Sequence, residues 1–156
     1  MIDTYEATQR LILHEGLRLQ PYFCSKGKRT IGIGRCLDTN PLTDEEKKVI
    51  KDWEHGITKG EAVYLLLNDI KRIEKELKKN IKFYKTLDDE RQYALLDMAF
   101  NLGVFGLLKF KRMLQALSHK NYEVASQECL CSHYAKDVGK RAERISHLLL
   151  TGEFKP

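Results

Sequence analysis

The chain has 156 residues, 42% of them hydrophobic and 31% charged, which suits one packed domain and argues against a disordered chain. No apolar run approaches the roughly 20 residues that span a bilayer, so an integral membrane segment is not expected. The formal net charge of +5 is compatible with an anionic partner, whether nucleic acid, an acidic membrane surface or a wall polymer, and equally with a solvated basic surface.

The N-terminal residues lack the basic start and apolar core of a secretion signal, so a chain that works outside the cytoplasm is expected to be released by other means. Asp3, with Glu6 three residues on, can open a helix as a capping box. Ala7 and Leu11 then recur at helical spacing, and Gly16 supplies the stop. Glu15 therefore falls in the last helical turn, where the helix dipole disfavours negative charge and suits a proton donor. From Leu17 to Leu37 the pattern changes. Leu17, Leu19, Tyr22, Thr30, Ile31 and Ile33 favour strands, and Ser25 to Lys28 form a turn between them. Gly32 and Gly34 alternate with the isoleucines, marking backbone that bends or is closely approached.

Thr39 to Leu42 reads as a loop. Thr43 with Glu46, and Thr58 with Glu61, form two further capping boxes, with Gly56 breaking the chain between them. Residues 59–80 predict a long amphipathic helix with Ala62, Leu65, Leu66, Ile70, Ile73 and Leu77 on one side. Later helices are predicted around 89–100, 109–117, 121–130 and 140–150, with Gly103 and Gly106 as punctuation. The fold class is α+β. A small N-terminal sheet-bearing lobe (14–58) is joined by a connecting helix (59–80) to a larger C-terminal helical lobe (81–156), on which residues 1–13 pack.

The four cysteines, Cys24, Cys36, Cys129 and Cys131, show no zinc-ligand spacing and predict reduced thiols. The five histidines are scattered, and Gly32-Ile33-Gly34 lacks what a phosphate-binding loop needs. Trp53 reads as an apolar anchor and Tyr134 as a residue of the lobe interface. Glu15 alone is an ordinary helix-end carboxylate. Its company is more informative, because the following hairpin can fold Cys24 and Thr30 back toward the helix end. A carboxyl acid facing a second polar group is what glycosidic cleavage requires: one protonates the leaving oxygen, and the other activates water or attacks the sugar.

The run His14-Glu15-Gly16-Leu17-Arg18-Leu19, then Tyr22, then Thr30-Ile31-Gly32-Ile33-Gly34, resembles the signature of the phage-type lysozymes, the T-even phage lysozyme relatives of glycoside hydrolase family 24. Met98 to Gly103 resembles that family's central helix and turn. Lys140 to Arg144, followed by Thr151-Gly152, resembles its C-terminal signature. The resemblance implies a single lysozyme-like domain over 1–156, a cleft between the lobes, and neither metal nor cofactor. It implies hydrolysis of the β-1,4 bond between N-acetylmuramic acid and N-acetylglucosamine by a monomer, as an endolysin acting on bacterial peptidoglycan.

Carried over by position, Glu15 is the general acid, Cys24 fills the second catalytic position, and Thr30 orients water or contacts sugar. Phe100 and Cys36 are cleft residues that bind substrate, and Arg141 forms a supporting ion pair with the glutamate. Cys24 stands where the T-even form has aspartate, Arg35 where it has histidine, and Cys36 differs from the best-known relatives. Cys24 can attack directly, polarise a water or fill space; Lys26, Lys28 and Arg29 would favour its thiolate, and an ionised Glu15 would oppose it. The competing readings are a non-catalytic cell-wall-binding protein that retains the fold, and a basic domain that binds nucleic acid. No nucleic-acid partner is expected, because that last reading rests on charge alone and lysines such as Lys75, Lys78 and Lys79 suit a solvated helix face.

Overall fold

The computed structural model describes residues 3–156. Residues 1 and 2, part of the segment expected to pack on the helical lobe, lie outside it. The chain forms α1 (Thr4–Glu15), β1 (Arg18–Phe23), β2 (Arg29–Gly32), β3 (Arg35–Cys36), α2 (Asp44–Val49), α3 (Lys59–Asn80), α4 (Asp89–Leu102), α5 (Val104–Leu108), α6 (Lys111–Ser118), α7 (Tyr122–Leu130), α8 (His133–Val138) and α9 (Lys140–Thr151). Single 3₁₀ turns lie at Trp53–His55 and Tyr84–Thr86. This is the α+β architecture expected. The described residues divide into two compact units, 4–71 and 72–156, the latter with Asp3. The division falls inside α3 and groups α1 with the sheet, so it differs from the lobe boundaries drawn from the sequence.

In the first unit the three strands form an antiparallel sheet in the order β1-β2-β3. Tyr22 lies opposite Thr30, and Thr30 lies opposite Cys36. The β1–β2 ladder shifts register between Arg18 and Tyr22. Pro21 sits in that interval and cannot donate a ladder hydrogen bond, which confines it to an edge strand or a bulge. Beneath the sheet, Ile31, Ile33, Leu37, Leu65 and Leu66 are buried. Of the expected capping boxes, those at Thr43 and Thr58 form. Thr43 accepts from the Glu46 N–H at 3.1 Å while Glu46 accepts from the Thr43 N–H at 3.0 Å. Thr58 and Glu61 exchange the same pair at 3.0 and 2.9 Å. All six apolar positions named on α3 are buried, because a 3.6-residue period keeps them on one stripe.

Glu6, expected to form a box with Asp3, has its carboxylate accept from Arg10 Nε at 3.0 Å, one helical turn on. Trp53 is half-buried, with the Arg29 guanidinium carbon 5.6 Å from its ring centroid.

The second unit is helical. α7 packs against α6 and α9, and α9 also packs on α4 and α8. Leu95, Leu96, Met98, Leu107, Ile145 and Leu148 form part of its apolar interior. Arg91 ties α4 to the end of α9, donating to the Leu149 carbonyl at 2.8 Å and the Leu150 carbonyl at 3.0 Å. Those carbonyls have no partner within their own helix, so the guanidinium serves as a C-terminal cap. Gly103 ends α4 with φ +78°, as the sequence suggests. Gly106 does not punctuate. It lies inside α5, where a Cβ would stand 3.0 Å from Leu102 Cβ, so close packing rather than a break explains it. The short α5 and α8 carry too few residues for a periodic signal. Tyr134 is buried within this unit, edge-on to Phe110 with centroids 6.1 Å apart.

Candidate active site

Glu15 occupies the last residue of α1. The Gly16 N–H bonds back to the Ile12 carbonyl at 2.8 Å, and Gly16 takes φ +75°, turning the chain out of the helix and into β1. The Glu15 side chain is half-buried and packs on the backbone of Gly34: a Cβ built there would stand 3.0 Å from Glu15 Cγ, Cδ and Oε2. Tyr22 is a second neighbour. Partial burial raises its phenol above the ordinary tyrosine value, and the charge of Glu15 raises it further, as does that of Cys24. One phenol thus lies within electrostatic reach of both candidate catalytic groups. The Arg18 guanidinium carbon stands 4.3 Å from the same ring centroid, a cation–π arrangement.

Cys24 opens the tight turn between β1 and β2. Its N–H donates to the Lys28 carbonyl at 2.9 Å, and its carbonyl accepts from the Gly27 N–H at 2.8 Å. The thiol sits below the ordinary cysteine value. The largest cause is the backbone N–H of Lys28; partial desolvation opposes it, and the Lys26 N–H and the Thr30 hydroxyl assist it. The expectation that nearby cations favour thiolate thus takes a different physical form. Lys28 and Lys26 act through their peptide N–H groups rather than their charges, and Arg29 is not among the causes.

Thr30 is buried, with its hydroxyl 3.0 Å from the Lys28 carbonyl. The single hydroxyl proton can serve that carbonyl or the Cys24 sulfur. The ladder places Cys36, half-buried, directly opposite Thr30. Residues directly opposite in an antiparallel pair share a face, so Thr30 is flanked by two sulfurs. All four cysteines are free thiols, as expected. Cys129 differs from Cys24 in being fully buried, and burial pushes its thiol up to about 12.

The remaining expected residues lie in the helical unit. Phe100 is half-buried on α4. Arg141, near the start of α9, is buried and donates from Nε to Asp97 Oδ1 at 2.7 Å. Asp97 is completely buried, and its other oxygen accepts from the Tyr93 hydroxyl at 2.7 Å. The structure therefore gives Arg141 a carboxylate partner that sequence reasoning did not name. Asp97 and Tyr93 are one helical turn apart, and that spacing was the only signal for the pair. Tyr22 and Gly34 belong to the same sequence motif, and the alternation of glycine with isoleucine signals the close approach found at Gly34.

Arg35 is buried inside the first unit. Its guanidinium pairs with Glu46 at 2.7 Å and with Asp69 at 3.2 Å, and its Nε reaches the Asn40 carbonyl at 2.8 Å. Burial alone would raise the Glu46 carboxyl. The hydrogen bonds from Arg35, Thr43 and Asn68 outweigh it and bring the group to about 2.

The phage lysozyme family matches residues 13–147. The chain belongs to that family. A probable T4-type lysozyme of Dictyostelium discoideum is 32% identical over 152 residues, covering 88% of this chain and 89% of that protein. An endolysin of Acyrthosiphon pisum secondary endosymbiont phage 1 is 32% identical over 129 residues, covering 82% of this chain and 77% of the endolysin. The pre-baseplate central spike protein Gp5 of Enterobacteria phage T4 is 31% identical over 154 residues, covering 90% of this chain, which spans only 27% of the spike protein. This lysozyme domain is a hydrolase of the peptidoglycan-cleaving type. Among the described residues, no helix is long and apolar enough to cross a membrane.

Proposed function

We propose that this lysozyme domain cleaves the β-1,4 bond between N-acetylmuramic acid and N-acetylglucosamine and serves host lysis as an endolysin. The observation that carries the reading is the arrangement in the sheet unit: a carboxyl group at the end of α1, against Gly34 and Tyr22, and a hairpin turn that presents Cys24 and Thr30. Glu15 gives its proton to the glycosidic oxygen as the bond to the anomeric carbon breaks. The depressed thiol makes Cys24 the partner that stabilises or attacks the electron-poor sugar, or takes the proton of an incoming water, with the Thr30 hydroxyl positioning that water.

Phe100 and Cys36 belong to the same proposal as sugar-contacting residues, and Arg141, anchored by Asp97, as a supporting residue. The host-lysis role draws on the similarity to an endolysin, which would reach the wall once the inner membrane is permeabilised. The similarity to a spike protein supports a second setting for the same chemistry, as a domain within a larger phage structural protein; the mass of the native polypeptide separates the two.

The test is lysis of outer-membrane-permeabilised cells by the wild type and by Glu15→Gln. General-acid catalysis supplies about 10²–10⁴-fold in rate, so the variant should lose at least about 100-fold while its far-ultraviolet dichroism is unchanged. Mass spectrometry of digested sacculi should show fragments ending in reducing N-acetylmuramic acid. Equal lysis by the two proteins would remove Glu15 from the mechanism. Sedimentation with intact sacculi and no products would favour a wall-binding protein.

A further inference from the structure

We propose that Gly34 and Arg35 are positioning residues for Glu15: Gly34 as a wall against the carboxyl, and Arg35 as the anchor of the strand that carries the wall. The inference rests on the reading of Glu15 as general acid and extends it to what holds that acid in place. At residue 34 a Cβ would sit 3.0 Å from three atoms of the Glu15 side chain, nearer than carbon atoms comfortably approach. A Cβ there would make the Glu15 side chain give by a few tenths of an ångström, and the φ of +69° itself favours glycine. Gly32, two residues earlier, has nearly the same φ, +68°, yet a Cβ there would make an ordinary contact of 3.4 Å with Ala62. The two glycines share a backbone requirement and differ in what they face.

β3 has two residues and cannot hold Gly34 by ladder bonds alone. Arg35, the next residue, supplies the anchor. Its fork bonds both oxygens of Glu46, at 2.7 and 3.0 Å, and its Nη2 reaches the Pro41 carbonyl at 3.2 Å. Asp69 on α3 pairs with the same guanidinium, and Asn68 donates to Glu46 at 3.0 Å. Helices α2 and α3 and the 40–41 loop therefore converge on the residue beside the wall. The side chains of Arg35, Glu46 and Asp69 are 5%, 2% and 4% exposed, so water hardly screens the pairing. A misplacement of about 1 Å can lower a catalysed rate about 100-fold, which is why a proton donor needs such a mount.

The test compares Gly34→Ala, Gly32→Ala and Asp69→Asn for kcat and KM on soluble peptidoglycan fragments, and for the side-chain carboxyl resonance of Glu15 in ¹³C-glutamate-labelled protein. Gly34→Ala is expected to lower kcat by about tenfold with KM within about threefold, and to displace the resonance. Gly32→Ala, which carries the same backbone strain, should keep kcat within about threefold of wild type and leave the resonance in place. Asp69→Asn, which preserves shape and removes one charge from Arg35, should lower kcat less than Gly34→Ala, again with little change in KM. Equal kcat losses for the two glycine variants, a loss carried by KM alone, or an unmoved resonance in Gly34→Ala would overturn the proposal. An active Glu15→Gln would instead overturn the role of Glu15 and leave the resonance test of the contact standing.

Discussion

The two compact units solve the same problem by different means. The helical unit buries apolar faces of α4 and α9, against which α7 packs, and its ionic centre, Arg141–Asp97 with Tyr93, is a small polar insert in that packing. The sheet unit has three short strands, a geometry marginal by itself. It has an apolar core of its own, Ile31, Ile33, Leu65 and Leu66 among it, and adds a buried guanidinium with two carboxylates and two carbonyls around it, while Asn68 donates to one of those carboxylates. Hydrophobic packing is non-directional, whereas a guanidinium fork fixes both distance and angle. The unit that carries the proposed acid thus adds directional bonds to its apolar packing right beside the acid, at Arg35, which suits a site that must be held within fractions of an ångström.

The sharpest contrast lies between the sulfurs of the two units. Cys24 sits below the ordinary thiol value through the turn N–H groups, whereas Cys129 is buried and raised to about 12. At neutral pH the thiolate is the reactive form, so iodoacetamide should modify Cys24 faster than Cys129 by roughly three orders of magnitude or more. Peptide mapping after timed alkylation reads the ratio, and comparable rates would remove the distinction. The pH dependence of Cys24 labelling should also have its midpoint below that of a free cysteine.

Next in size is Asp97→Ala, which removes the carboxylate that Arg141 and Tyr93 both use. Breaking a buried charged pair costs about 3–5 kcal/mol, measurable by urea unfolding. In the sheet unit, Glu46→Gln should cost somewhat less, about 2–3 kcal/mol at neutral pH, because Asp69 stays beside Arg35. If the two costs were reversed, the sheet unit would be the more dependent on its ionic centre.

Glu46 also has a pH signature. Its carboxyl lies at about 2 in the folded chain against an ordinary 4.5. A folded-state value below the unfolded one gives stability that is full above the unfolded value and lost as pH falls through the folded one. The difference in Tm between wild type and Glu46→Gln should therefore be constant above about pH 5 and shrink between about pH 4.5 and 2. A difference that does not change with pH would show that Glu46 acts by shape alone. The smallest effect is expected at the surface of the same network. Thr43→Ala removes the hydroxyl that accepts the Glu46 N–H and should cost about 1 kcal/mol.

Much of this molecule was legible in its sequence. The Gly16 stop, the Cys24–Lys28 turn, the capping boxes at Thr43 and Thr58 and the stripe of α3 each depend on residues within four positions of one another, so local chemistry specifies them. Glu15, Cys24 and Thr30 could be nominated because their spacing follows a helix stop and a hairpin. What the sequence could not contain is contact across longer separations. The pairing of Arg35 with Glu46 and Asp69, of Arg141 with Asp97, and of Gly34 with Glu15 joins residues 11 to 44 positions apart. Such contacts are selected by how the elements pack and by the cost of burying a charge without a partner. The sequence determined which groups could do chemistry; only the tertiary structure decided what each of them leans on.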